Sequence, residues 1–253
     1  MFVKDAFPSV FGTLWDRRPA TRVLAALLCA CAMTAARAGE YEDAAAAARR
    51  GDFAAAFKQL KPLADKGDAR AQADLGVMYF AGKGVAADPK EALKWTRRAA
   101  EQGSPSAQFN LGSIYLEGQI VLRDAKEAMK WNLLAAGQGL AAAQVNIASM
   151  YYDGDGVAQD YKEAVRWLRL AAEQGDPEAQ LNLGNMYVAG QGVERDLLRG
   201  YMWTRIASDS LSMSDADKKS LRDLSAKTLS PEELAKGQAM AAKCQESKFK
   251  NCD

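Results

Sequence analysis

Apolar residues in the middle of the chain recur three to four positions apart, as expected for one face of a helix. Two such stripes fall within 36 residues, the first made of Ala71, Leu75 and Tyr79 and the second of Ala92, Trp95 and Ala99. A glycine-rich segment separates them. The pattern therefore predicts two short helices joined by a loop, each with one apolar face.

The same pair of stripes returns with a period of 36 residues and no gaps. The motif at 71–76, Ala-Gln-Ala-Asp-Leu-Gly, has counterparts at 107–112, 143–148 and 179–184. Further columns keep their register through four successive units: Tyr79, Tyr115, Tyr151 and Tyr187; Gly82, Gly118, Gly154 and Gly190; Trp95, Trp131, Trp167 and Trp203. Such a period is typical of a solenoid, because one helical pair cannot bury its apolar face alone. The aromatic columns are predicted to pack between helices rather than to hold a cofactor.

The ends of these helices carry recognisable capping residues. Gly82 can take the left-handed conformation that ends a helix, and Asp88 followed by Pro89 is typical of a helix start. Gly76 lies beside the apolar stripe, where its missing side chain lets the next helix approach closely. One loop departs from the pattern, because Ile120 replaces its second glycine, and we expect that loop to turn differently.

These signals divide the chain into an N-terminal segment, a set of repeats and a C-terminal cap. The predicted units are an abbreviated repeat at 39–67, full repeats at 68–103, 104–139, 140–175 and 176–210, and a cap with a tail at 211–253. In the cap, Ser214 and Ser230 each precede acidic residues and predict two helix starts. Such helices protect the open end of a stack, a role that we favour over docking.

Residues 1–38 are predicted to be an export signal. Basic residues precede an apolar stretch at 23–36, and the Ala-Arg-Ala of 36–38 matches a cleavage site. The stretch is shorter than the roughly 20 apolar residues of a membrane-spanning helix. Alternatives are a short membrane anchor, a buried helix, or a lipid anchor on Cys31. The mature chain would begin at Gly39 without an integral membrane span, in the periplasm or, alternatively, outside the cell.

The composition also bears on the class of partner, the state of the cysteines and the kinds of catalytic or metal site that the chain can form. Cleavage would leave 28 basic and 30 acidic residues, a near balance that gives no reason to expect a nucleic-acid partner. It would also leave Cys244 and Cys252, which in an oxidising compartment predict a disulfide closing the tail, with two free thiols as the alternative. Because the chain contains no histidine, it lacks the commonest general base and zinc ligand. We predict neither a cofactor nor a metal site.

Two short patterns resemble functional motifs but have simpler explanations. The Asp-Gly-Asp-Gly of 153–156 resembles part of a calcium loop, yet no acid stands at its twelfth position, so a turn is favoured. The only S-x-x-K pattern runs from Ser247 to Lys250 in the polar tail, whereas a catalytic serine needs a rigid support. The chain is accordingly predicted not to be an enzyme.

The unit A-x-A-Q-x-x-L-G-x-x-Y-x-x-G-x-G-V-x-x-D-x-x-x-A-x-x-W-x-x-x-A-A-x-x-G resembles the Sel-1-like repeat, a relative of the tetratricopeptide repeat. The resemblance implies an all-α fold, an α/α superhelical solenoid, with a scaffold or adaptor role that in bacteria often belongs to secreted proteins. The expected function is a non-catalytic adaptor of the bacterial cell envelope that binds a peptide or protein on the concave face. A hydrolase or binder of β-lactams or peptidoglycan and a purely structural spacer are the alternatives.

In related superhelices the first helix of each unit lines the concave side. On these helices a second, more polar stripe lies beside the packing stripe. It supplies the candidate residues of a peptide-binding groove: Arg70, Asp74, Ser106, Asn110, Ser113, Asn146, Ser149, Glu178, Asn182 and Asn185. The three asparagines that share one register would form a ladder of amide groups able to hold a peptide backbone. Alternatively, they satisfy neighbouring groups within the stack.

Overall fold

In the computed structural model, which describes residues 39–211, 214–250 and 252, all regular structure is helical. Helix α1 spans 39–49, and the others are α2 Phe53–Asp65, α3 Ala69–Ala81, α4 Pro89–Glu101, α5 Pro105–Glu117, α6 Ala125–Gly137, α7 Ala141–Asp153, α8 Tyr161–Ala172, α9 Pro177–Ala189, α10 Leu197–Ser210, α11 Asp215–Ala226 and α12 Pro231–Glu246. The predicted export signal and Cys31 lie outside the described residues. Within the described ranges, no helix is both long and apolar enough to cross a bilayer.

Consecutive helices pack against one another along the chain. The largest contacts lie within the pairs α3 with α4, α5 with α6, α7 with α8 and α9 with α10. Smaller contacts join each pair to the next, and both α11 and α12 pack on α10. The core is correspondingly divided into successive clusters along the stack. The predicted all-α solenoid is therefore confirmed.

Capping side chains set the helix ends where the sequence predicts them. The Asp88 carboxylate accepts hydrogen bonds from the backbone N–H groups of Lys90 and Glu91, at 2.9 and 3.1 Å, and begins α4. Gly82 ends α3 in the left-handed conformation, at φ 64°. Ser230 begins α12 and forms a capping box. Caps of this kind contribute about 1 kcal/mol each, and these predicted ends are confirmed.

The loop between the two helices of a unit contains a second glycine, and this glycine lies against the preceding unit. Gly84, at φ 73°, lies against the backbone of Phe53 at the start of α2, and Gly192, at φ 70°, lies against Tyr161 at the start of α8. In the unit formed by α5 and α6, Ile120 takes this position with a φ that is not positive. An isoleucine would be strained in the left-handed conformation. The expectation that this loop turns differently is therefore confirmed.

A buried glutamine in the first helix of a full unit bonds to the preceding unit in three of the four units, and in three of the four it bonds to a glutamine that follows the second helix of its own unit. Nε2 of Gln72 donates to the backbone oxygen of Ala64 at 3.0 Å, and its Oε1 accepts a hydrogen bond from Gln102 at 2.7 Å. The second bond repeats from Gln138 to Gln108 at 2.8 Å and from Gln174 to Gln144 at 2.9 Å. These bonds explain the glutamine of the repeat motif, a role that periodicity alone does not reveal.

The fourth of these glutamines, Gln180, is fully buried but lacks the second partner. Its Nε2 donates to Ala172 at 3.2 Å, whereas its Oε1 has no hydrogen-bond partner among the described residues. The register of Gln102 is occupied here by Ser210. We expect Ser210→Gln to supply the missing donor and raise the free energy of unfolding by about 1 kcal/mol in urea denaturation. Ser210→Ala is the control, and an equal gain in both variants would contradict this explanation.

The C-terminal tail is held by a disulfide between Cys244 and Cys252, whose Cα atoms are 5.1 Å apart. The closed loop contains Phe249, whose ring lies against Gly175 in the turn before α9. Both the ring and Cys252 pack against the core cluster that includes Cys244. The cross-link thus holds the tail against the last units of the stack.

Candidate functional site

Two pockets open between the first helices of consecutive units. Pocket A, of about 250 Å³, lies between α3 and α5 over α4 and is lined by Gly76, Val77, Phe80, Ala92, Thr96, Asn110, Ser113, Ile114 and Glu117. Pocket B, of about 280 Å³, lies between α7 and α9 over α8 and is lined by Ala148, Ser149, Tyr152, Leu168, Asn182, Asn185, Met186 and Gln191. The two pockets occupy equivalent registers two units apart, so their walls repeat the same spacing along the stack.

Between the registers of the two pockets lies a buried asparagine. Asn132 of α6 is fully buried, and its amide lies against Gly112. Its Nδ2 donates to the backbone oxygen of Ala128 at 3.0 Å, and its Oδ1 accepts a hydrogen bond from Asn146 at 3.4 Å. Asn146 is therefore used within the stack, whereas Asn110 lines pocket A.

The other predicted polar residues divide between the pockets and the flanks. Ser113 joins Asn110 in pocket A, and Ser149, Asn182 and Asn185 meet in pocket B. Ser106 and Glu178 are exposed in the first turns of α5 and α9 and line neither pocket. The predicted stripe thus supplies polar groups to two separate pockets.

Asp74 and Arg70 face the N-terminal helix instead. Tyr41 of α1 donates a hydrogen bond to Oδ2 of Asp74 at 2.9 Å, and the Arg70 guanidinium lies 4.1 Å from the centre of the Tyr41 ring. Arg70 also pairs with Asp68 at 3.2 Å. Burial raises the pKa of the Asp74 carboxyl, and the hydrogen bond from Tyr41 offsets only part of that rise. These side chains partner one another at the N-terminal end of the stack.

We expect Asp74→Asn to stabilise the chain at neutral pH, because an amide avoids burying a charge and matches the asparagines at the same register. The folded-state pKa is raised, so wild-type stability falls as pH rises from the unfolded-state pKa of about 3.9 through the folded-state pKa. The gain should therefore be small at about pH 3.5 and complete at about pH 7. Urea denaturation at both pH values measures it. A gain of the same size at both would show that the carboxyl charge is not the cause.

The sequence interpretation missed the apolar side chains of the pockets. One column of the first helices, one residue after the tyrosine column, is apolar in every full unit: Phe80, Leu116, Tyr152 and Val188. Phe80 is 53 % exposed and lines pocket A, and Tyr152 is 38 % exposed and lines pocket B. The sequence did contain a signal for these side chains, because this apolar column lies outside the stripe that packs between helices.

The chemistry of these surfaces suits binding. Ser247 of the S-x-x-K pattern has its Oγ 2.7 Å from the carbonyl oxygens of both Cys244 and Lys250, so the tail backbone engages it. In the Asp-Gly-Asp-Gly turn, Asp155 pairs with Arg123. In the part of the chain that the structure describes, no group of three or more Cys, Asp and Glu residues could hold a metal ion. The two pockets offer a ligand apolar walls together with amide and hydroxyl groups.

Comparison with known proteins finds one matching family and several solved structures with a similar fold. Four segments, 69–104, 105–140, 141–176 and 177–210, match the Sel1 repeat. A Sel1 repeat protein from Oxalobacter formigenes is 30% identical, with a TM-score of 0.68 over 80% of this chain and 84% of that one. A protective antigen of uropathogenic Escherichia coli with an SLR fold is 26% identical, with a TM-score of 0.50 over 79% of this chain and 50% of that one. A putative sel1 repeat protein from Klebsiella pneumoniae, at 20% identity and TM-score 0.51, shares the fold over 75% of this chain and 93% of that one.

No curated protein matches the chain. The four matched segments correspond to the helix pairs from α3 with α4 to α9 with α10 and make up more than half of the residues. Sel1 repeat proteins generally mediate protein–protein interaction and generally act as non-catalytic scaffolds. The chain belongs to the Sel1 repeat family.

Proposed function

We propose that the protein is an exported adaptor of the bacterial cell envelope, and that a segment of a partner protein lies along the first helices of its repeats. The repetition of an open pocket at equivalent registers carries this proposal. Asn110 and Asn182 present amide groups to the two pockets, beside the exposed rings of Phe80 and Tyr152. Amide groups can pair with a peptide backbone, while apolar walls receive its side chains.

Site-specific photo-cross-linking in the native envelope tests the binding face. A photoreactive amino acid at Phe80 or Tyr152 should capture a partner protein that mass spectrometry identifies as one species. The same amino acid at Lys94, on the opposite side of α4 from Ala92 and Thr96, should not capture it. Capture of the same species from Lys94 alone would place binding on another face and refute the groove.

Export is tested independently by cell fractionation. The protein should be recovered from the periplasm or the medium with Gly39 as its first residue, because cleavage is expected after the Ala-Arg-Ala pattern at 36–38. Deletion of 23–36 should retain the chain in the cytoplasm. Recovery of the intact N-terminus in the cytoplasm of wild-type cells would refute export while leaving the groove untouched.

A further inference from the structure

We infer that pocket A receives a single lysine or arginine side chain of the partner, an inference that rests on the proposed function. Its volume of about 250 Å³ is below the roughly 300–1,000 Å³ of pockets that hold whole small molecules. Val77, Phe80 and Ile114 form apolar walls. Such walls suit the aliphatic stem of a long basic side chain, and the Phe80 ring can also attract its charge.

The charge that selects this side chain is Glu117, the last residue of α5. A carboxylate at the C-terminal end of a helix is disfavoured, because it faces the negative end of the helix dipole. Among the described residues, Glu117 has neither a hydrogen bond nor an ion pair that would offset this cost. Asp153, the last residue of α7, stands at the same register but lines neither pocket, and the flanking units carry alanine there.

Cations in the neighbouring segments are already engaged. Arg123, in the loop after α5, pairs with Asp155. Lys83, in the loop after α3, lies 5.1 Å from the centre of the Phe53 ring. The charge of Glu117 is therefore left for a cation that the described residues do not supply.

The floor of pocket A also offers polar groups to a ligand. Thr96 is only 4 % exposed and lines the pocket, with its hydroxyl beside Gly76. No hydrogen bond to this hydroxyl, or to the amide of Asn110, is formed by the described residues. The oxygens of both groups can accept a hydrogen bond from an ammonium or guanidinium group. Both groups line pocket A and are therefore available to a polar ligand.

Pocket B differs from pocket A because its lining contains no carboxylate. Leu168 stands at the register of Thr96, and the polar lining consists of serine, asparagine, glutamine and tyrosine side chains. Pocket B therefore accepts an uncharged side chain. A partner segment with one basic residue would bind in one direction along the stack.

The test uses random peptides of about twelve residues displayed on phage and selected on the purified protein. Retained peptides should carry a lysine or arginine close to apolar residues. Glu117→Gln should weaken their binding about tenfold in fluorescence anisotropy, as expected for loss of one charge-assisted hydrogen bond. Glu101→Gln, which removes the exposed last residue of α4, is the matched control and should have no effect. A peptide whose basic residue is replaced by methionine should bind wild type and Glu117→Gln equally.

The outcomes separate this inference from the proposed function. Peptides that lose binding on Val77→Asp but carry no basic residue, or that bind Glu117→Gln unchanged, would overturn the inference and leave the groove in place. Failure to retain any peptide, together with no cross-link from Phe80, would overturn both. Circular dichroism of each variant shows whether it is folded.

Discussion

Replacement of Gly84 by alanine is expected to lower the free energy of unfolding by about 3 kcal/mol. Gly84 has φ 73°, a conformation that costs a residue with a side chain about 1–2 kcal/mol. Its added Cβ would also overlap the carbonyl group of Phe53, which belongs to the helix of the preceding unit. Backbone cannot move aside as the end of a flexible side chain can, so overpacking adds about 1–3 kcal/mol.

Gly103 provides a control that isolates the contact. It has φ 88°, but its Cβ would meet no atom within 4 Å. Gly103→Ala should therefore cost only about 1 kcal/mol, the conformational part alone. Urea denaturation followed by circular dichroism measures both variants. Equal losses would show that the junction between the loop and α2 contributes nothing.

The sequence predicted the fold because the information for it is local and repeated. Gly82, Asp88 and Pro89 act on their own helix ends, and a fixed period multiplies each signal. Even the exception was visible, because Ile120 cannot share the conformation of the glycine at that register. Each prediction needed only one segment and its conformational preferences.

The candidate site was less predictable. Whether a groove residue bonds within the stack or faces a pocket depends on side chains of a different helix. Asn110, Asn146 and Asn182 share a register on the first helices. Asn132 of α6 binds Asn146, whereas Thr96 stands at the equivalent place beside pocket A and leaves Asn110 without a partner among the described residues. One substitution in a neighbouring helix thus separates a structural asparagine from one that faces an open pocket. Periodicity treats them alike and cannot distinguish them.

The same dependence on surroundings governs the tryptophan column, and Trp203→Ala should have the largest effect on stability. Trp203 is 1 % exposed and belongs to the core cluster that includes Met202, Ala241 and Cys244. Truncation of the Trp203 side chain would leave a cavity in this cluster. Removal of a buried tryptophan side chain costs about 4 kcal/mol.

Trp131 tests whether burial or register sets this cost. It holds the same register two units earlier but is only partly buried, and its Nε1 donates to Glu127 at 2.8 Å. Trp131→Ala should cost about 2 kcal/mol, because less apolar surface returns to water. Urea denaturation followed by far-ultraviolet circular dichroism avoids relying on the fluorescence of the residue removed. Equal losses at the two positions would mean that the shared register sets the cost, whereas a larger loss at Trp203 would show that burial of the side chain sets it.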